Sequence, residues 1–149
     1  MAIESDDPFN LKRFTSAQES IYDCALAELR RGLKQSHWMW FIFPQIIGLG
    51  SNYNSRFYAI SGIEEARQFL QHPILGKRLL ECTGSVLAVD GRSASDIFGY
   101  PDDLKLKSSM TLFACVADPC SVFVRIIDKY FKGERDVLTL QLLDKLKEK

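Results

Sequence analysis

Apolar residues recur at helical spacing along most of this chain. In "TSAQESIYDCALAELRRGLK" (15–34), Ile21, Ala25 and Leu29 repeat every fourth residue, and Tyr22, Leu26 and Leu33 widen the stripe. Glu28, Arg30 and Arg31 fall on the outward side of that pattern, and Gly32 supplies a stop signal. "SGIE" (61–64) reads as a capping box, Ser61 with Glu64, opening a short helix that runs through Leu70. The "HP" that follows ends it, and Pro73 suits the first turn of the next helix, in which Leu75, Leu79, Cys82 and Val86 face one side. "VDGRS" closes that helix. Three more follow. One starts near Pro101–Asp102 and turns Leu106, Met110 and Phe113 inward. The next starts after Asp118–Pro119 and buries Phe123, Ile126, Ile127 and Tyr130. The last runs from Asp136 with Leu142, Leu143 and Leu146 inward and lysines at its end, where the helix dipole favours them.

Two stretches break the pattern. Trp38–Phe43 and Arg56–Ile60 lack helical spacing, and each has the length and composition of a short strand. The expected fold is therefore mainly α, a compact helical domain of about six helices with at most a small accessory β element. At 149 residues the chain reads as one domain, 1–149, long enough to bury a core unaided, with residues 1–8 as a frayed end.

Composition narrows the class of function. Nineteen basic residues balance nineteen acidic ones, which leaves no electrostatic footprint for general nucleic-acid binding. "MAIESDDPFN" is polar and acidic rather than a secretory leader, and the longest apolar run is too short for a bilayer. A cytoplasmic protein without membrane attachment is expected. Cys24, Cys82, Cys115 and Cys120 form no C-x-x-C pair and read as buried free thiols. With His37 and His72 the only histidines, no zinc-like spacing can be assembled, so no metal is expected. No phosphate loop or nucleophile elbow is present, and no cofactor is called for.

Two blocks can carry chemistry. "SHWMWFIFPQ" (36–45) holds both tryptophans. Trp38 and Trp40 are large core residues by type, but with His37 and Gln45 beside them they also suit a pocket that stacks a planar ring. In "PDDLKLKSSMTLF" (101–113), Asp102, Lys105 and Ser109 fall on one helical face, bordered by Asp103 and Ser108. The acids at that helix start serve equally as caps. Arg56, in the polar stretch "GSNYNSRFY" (50–58), has a fork that matches phosphate. Candidate catalytic residues are His37, Asp102, Asp103 and Lys105. Candidate ligand contacts are Trp38, Trp40, Gln45, Arg56, Ser108 and Ser109.

The blocks "HWMWFIFPQ" and "DDLKLKSSMTLF", with "EARQFLQHPILGKRLLE" between them, resemble a small family catalogued as a domain of unknown function, over about residues 8–143. The family resemblance implies a mainly helical fold. Some of its members carry a calpastatin label, which conflicts with the helical periodicity here, because calpastatin-type inhibitors are polar and disordered. The layout is also similar, more distantly, to the NADAR superfamily, which implies NAD or ADP-ribose chemistry. Cleavage of an N-glycosidic bond would then need an acid for the leaving base and a group to stabilise the cationic sugar, or a lysine to form an imine.

Three readings stand. One is a protein that binds a nucleotide-like or ADP-ribose-like small molecule, with N-glycosidase activity as its catalytic form, in a pocket between 36–45 and 101–109. A second is a non-catalytic interaction domain whose motif blocks encode the core. The third is a protease inhibitor presenting the 48–55 loop. The first two separate on whether His37, Asp102, Asp103, Lys105 and Ser109 converge on one cavity.

Overall fold

Ten helices follow one another through residues 7–147, the part of the chain that the computed structural model describes. They are α1 Lys12–Gln18, α2 Tyr22–Arg31, α3 Met39–Ile42, α4 Tyr53–Phe57, α5 Ile63–Gln71, α6 Leu75–Leu87, α7 Ala94–Phe98, α8 Asp102–Ala114, α9 Val122–Phe131 and α10 Val137–Lys147. The class is mainly α, as the periodicity predicts. The count exceeds about six because α3, α4 and α7 are one-turn elements, too short for a periodic stripe, and because the 15–34 segment is split.

The chain breaks at 19–21; α1 buries Phe14 and Gln18, and α2 buries Tyr22, Ala25, Leu26 and Leu29. Gln18 is tied down from both ends. Its Nε2 donates to the Phe41 carbonyl at 2.8 Å, and its Oε1 accepts from Arg78 at 3.3 Å. Leu33, expected inside, is exposed, because the helix ends at Gly32 in the left-handed conformation (φ 75°).

α8 is the central helix, packed against α5, α7, α9 and α10. It buries polar and apolar side chains on nearly every face, from Leu106 through Ala114. Around it the fully buried rings form a chain of tilted and edge-on contacts, Phe14–Phe69 at 5.0 Å, Phe69–Phe113 at 5.4 Å and Phe113–Phe123 at 5.7 Å. A second aromatic cluster joins Trp38, Phe43 and Phe98. The inward positions read for α6, α8 and α9 are buried, apart from Tyr130, which is half-buried. In α10 Leu143 is buried and Leu142 and Leu146 pack at the core's edge.

The remaining differences are local. Of the two stretches read as short strands, Trp38–Phe43 holds the helical turn Met39–Ile42, and Arg56–Ile60 begins in the last residues of α4 and ends at Ile60, whose parallel bridge with Ile46 is the β content among the described residues. The Ser61–Glu64 capping box does not form. Gly62 precedes α5, and it is Glu65 that reaches back to accept from the Ser61 N–H at 2.8 Å. A capping box does form where none was read, between Ser93 and Asp96 at the start of α7. Asp7, within the stretch expected to fray, accepts from the N–H groups of Leu11 and Lys12 at 2.7 and 3.0 Å, while residues 1–6 lie outside the described residues. Three of the four thiols are exposed; only Cys82 is buried, in α6 against the core. Among the described residues no helix is long and apolar enough to cross a membrane.

Two glycines of α6 make a paired test. A methyl group on Gly76 would stand 1.9 Å from the Leu70 carbonyl oxygen of α5, whereas one on Gly84 meets nothing within 4 Å. Gly84→Ala is expected to stabilise the protein by about 0.5–1 kcal/mol through helix propensity. Gly76→Ala should destabilise it by about 1–3 kcal/mol by forcing α5 and α6 apart. Thermal denaturation of the two variants beside the parent checks both signs.

Candidate functional site

The site is assembled around the first two turns of α8. Lys34, nearly buried, donates its backbone N–H to the Ile97 carbonyl at 2.7 Å and its ammonium to the Ser36 carbonyl at 2.7 Å. The same ammonium pairs with Asp102 Oδ2 at 2.8 Å and lies 5.0 Å from the Trp38 ring centroid. The other oxygen, Asp102 Oδ1, faces Lys105 Nζ at 3.4 Å. Lys105 in turn sits 4.0 Å above the ring of Trp40. One carboxylate thus serves two lysines, and the charge of Lys105 is only partly compensated.

The opposite wall comes from residues 45–59. It is fastened by the Ile46–Ile60 bridge, whose bonds run from Ile47 N–H to the Ile60 carbonyl (2.9 Å) and from Ile60 N–H to the Gln45 carbonyl (2.8 Å). Arg13 holds the far side of this segment. Its guanidinium donates to the carbonyls of Phe57 (2.7 Å), Phe9 (2.6 Å), Asn10 (2.9 Å) and Ala59 (2.8 Å), and pairs with Glu65 at 2.8 Å. The third side is the start of α10. Asp136 Oδ2 accepts from Thr139 N–H (3.0 Å), Thr139 Oγ1 (2.5 Å) and Ser108 Oγ (3.2 Å), and the Asp136 N–H donates to Thr111 Oγ1 at 2.9 Å.

Between these walls lies a cavity of about 430 Å³. Its apolar lining includes Trp40, Ile46, Leu49, Tyr58, Leu104 and Leu138; its polar lining is Gln45, Asn52, Ser55, Lys105, Ser108 and Asp136. Gln45 is more than nine-tenths buried, and its amide nitrogen has no hydrogen-bond partner among the described residues. Such a donor costs about 1–3 kcal/mol when left unpaired.

Of the candidates read from the sequence, Trp40, Gln45, Lys105 and Ser108 line this cavity. Asp102 stands one contact behind it, on Lys105. The others lie elsewhere. Trp38 is fully buried and donates its indole N–H to Glu28. Ser109 is fully buried and outside the lining, with its hydroxyl unpartnered among the described residues. Asp103 accepts from the Leu104 N–H at 2.9 Å, and His37 and Arg56 are exposed and outside the lining. Asp136, Tyr58, Asn52 and Ser55 were missed. Asp136 read only as a helix start, and the 50–58 stretch as a carrier of Arg56. The 48–55 loop offers little to a protease, since the chain is helical again from Tyr53.

A family model described as "Protein of unknown function (DUF1810)" matches residues 8–143. The chain belongs to this family. The crystal structure of the conserved hypothetical protein Rv1873 from Mycobacterium tuberculosis is similar to this DUF1810 chain. The two are 54% identical with a TM-score of 0.91, covering 93% of this chain and 99% of that one. No curated protein matches the sequence.

The largest misreading in this DUF1810 chain is Glu28. It is buried, and its carboxylate accepts from the N–H groups of Gln35 (2.8 Å) and Ser36 (3.0 Å), the Ser36 hydroxyl (2.5 Å), the Trp38 indole (2.9 Å) and the Cys24 thiol (3.3 Å). Burial alone would raise its pKa, but the donors from Ser36, Gln35 and Trp38 overcome that and lower it from the ordinary 4.5 to about 2. A buried tryptophan needs an acceptor for its N–H, and that was the one available signal.

Because the folded-state pKa lies below the unfolded one, the stabilisation from Glu28 is complete above pH 4.5 and drains away as pH falls toward about 2. A shift of that size is worth about 3 kcal/mol. Glu28→Gln should lose a stabilisation of that order at pH 7 and show a flatter acid limb. Urea denaturation of parent and variant at pH 7, 4 and 3 measures both; parallel curves would remove Glu28 from the acid response.

Proposed function

We propose that this protein binds a nucleotide-like small molecule in the cavity between residues 40–59 and 101–108. The observation that carries this reading is the unpartnered amide nitrogen of Gln45, buried in the wall of a cavity that also holds Lys105, Asp136 and two aromatic residues, Trp40 and Tyr58. An orphaned donor in a lined cavity is what a site built for a hydrogen-bonding ligand presents. At about 430 Å³ the space falls in the lower part of the range for ligand pockets and suits a nucleoside monophosphate better than a whole dinucleotide. Arg56, read from the sequence as a phosphate contact, is outside the lining, which leaves Lys105 as the cation of the cavity. For N-glycosidic cleavage, Asp136 is the carboxylate available beside the sugar. Lys105, held against Trp40 and Asp102, is disposed as a binding cation rather than as an imine-forming amine.

A second reading, the interaction domain, draws support from exposed apolar side chains at the rim. Leu104 and Leu138 line the cavity yet are half-exposed; exposed Val137 adjoins Leu138 in the chain, and exposed Tyr100 adjoins Pro101 of the lining.

A thermal-shift panel of nucleosides, nucleoside monophosphates, ADP-ribose and NAD separates the two. A monophosphate at 100 times its dissociation constant should raise the melting temperature by about 5–10 °C. Gln45→Met replaces the orphaned donor with an apolar chain of similar length. It should stabilise the free protein by about 1 kcal/mol while abolishing most of the ligand-induced shift. A shift that survives this substitution puts the ligand elsewhere, and no shift with any compound favours the interaction domain.

A further inference from the structure

The polar lining carries one acid, Asp136, and one base, Lys105, and their surroundings differ in a way that specifies what lies between them. All three side-chain bonds to Asp136 fall on Oδ2, from Ser108 Oγ, Thr139 N–H and Thr139 Oγ1. Its Oδ1 has no hydrogen bond, and the carboxylate has no ion-pair partner, among the described residues. Among the described residues Lys105 has one counter-ion, Asp102, and shares it with Lys34, which is the closer of the two, 2.8 Å against 3.4 Å.

Resting on the nucleotide reading above, we infer that Asp136 is the residue that selects the sugar. Its Oδ1 accepts hydrogen bonds from the vicinal hydroxyls of a ribose, while Lys105 receives the phosphate, so the ligand class is a ribonucleoside monophosphate. A ligand that carries both an anionic group and neutral hydroxyl donors uses both charges of the cavity, the phosphate on Lys105 and the hydroxyls on Asp136. Oδ2 is already saturated by neutral donors that hold the carboxylate in place. The ligand therefore has to supply donors to one oxygen with two lone pairs, which a vicinal diol does. A carboxylate reading ribose hydroxyls is a general solution in nucleotide sites. The base falls to the apolar lining, Ile46, Leu49, Tyr58 and Leu138.

Calorimetric titration of the full chain with the four ribonucleoside 5′-monophosphates, their 2′-deoxy counterparts and the unphosphorylated ribonucleosides tests the assignment. The best ribonucleotide should bind at least about tenfold more tightly than its 2′-deoxy form. Asp136→Asn should weaken the ribonucleotide by a similar factor and the 2′-deoxy compound by less, since that compound has only its 3′-hydroxyl bond to lose. The asparagine oxygen still accepts from Ser108 and Thr139, so the variant keeps its helix start, and an unaltered melting temperature checks this. Lys105→Met should weaken the monophosphate but not the nucleoside. Equal affinity for ribo and 2′-deoxy forms, or a loss in Asp136→Asn that is the same for both, overturns the role of Asp136 while leaving nucleotide binding intact. Failure of every compound to bind overturns the nucleotide reading, and the sugar assignment with it.

Discussion

The structure turns on a buried carboxylate with no cation beside it. Glu28 is held by five donors, four of them from residues 35–38 and one from Cys24, and no lysine or arginine pairs with it among the described residues. An isolated charge in an apolar interior is among the costliest groups a fold can hold, and only a full set of hydrogen bonds makes it tolerable. The arrangement is therefore all-or-none. Four of the five donors come from the segment between α2 and α3, so that segment has one admissible path, and Trp38 is fixed as its last donor. With Trp38 in place against Phe43 and Phe98, the orientation of α3 follows, and with it the position of Trp40 on the cavity wall.

Arg13 does on the other side of the cavity what Glu28 does on this one, with the charges reversed. Its guanidinium is spent on four backbone carbonyls and Glu65, so the segment 57–59 is gripped from behind while its front lines the cavity. The Glu65 partner explains the capping box that does not form, since Glu65, not Glu64, is drawn to the start of α5. Two buried ions, each saturated, thus hold the two walls, and their cost in desolvation is offset by fixing a site that apolar packing alone would leave free to slide.

What was legible in the sequence was whatever repeats. The stripes of α6, α8 and α9 were readable because their inward residues recur over three turns or more, and periodicity is a property of length. One-turn helices such as α3 and α4 have no period to show, and their apolar or mixed composition imitates a strand. Glu28 was read outward for a related reason. It lies between Ala25 and Leu29 in the chain, and a polar residue there is indistinguishable by spacing from one at the edge of a solvated face. Its five partners come from Cys24 and residues 35–38, so only the tertiary fold reveals them. The site divides the same way. Trp40, Gln45, Lys105 and Ser108 were found because they sit in dense blocks of unusual composition, whereas Asp136 and Tyr58 are single residues brought in from segments that look ordinary.

The polar stripe of α8 shows how small the difference is between a readable site and a misread one. Stepping Asp102, Lys105 and Ser109 along an ideal helix selects a face that the structure turns partly into the core. The face toward the cavity is one position over, with Lys105 and Ser108 on the lining and Thr111 supporting it from below. The Thr111 hydroxyl donates to the Lys107 carbonyl, four residues back, which leaves its oxygen free to accept from the Asp136 N–H. The Ser108 hydroxyl shares its one proton between the Leu104 carbonyl and the Asp136 carboxylate, each at 3.2 Å. α8 therefore fixes Lys105 and Asp136 relative to each other through its own backbone, so the cation and the carboxylate of the cavity are held by one rigid element instead of two independent ones. A site whose opposite charges are tied to a single central helix has little freedom to collapse the two together, which is what keeps a cavity between them.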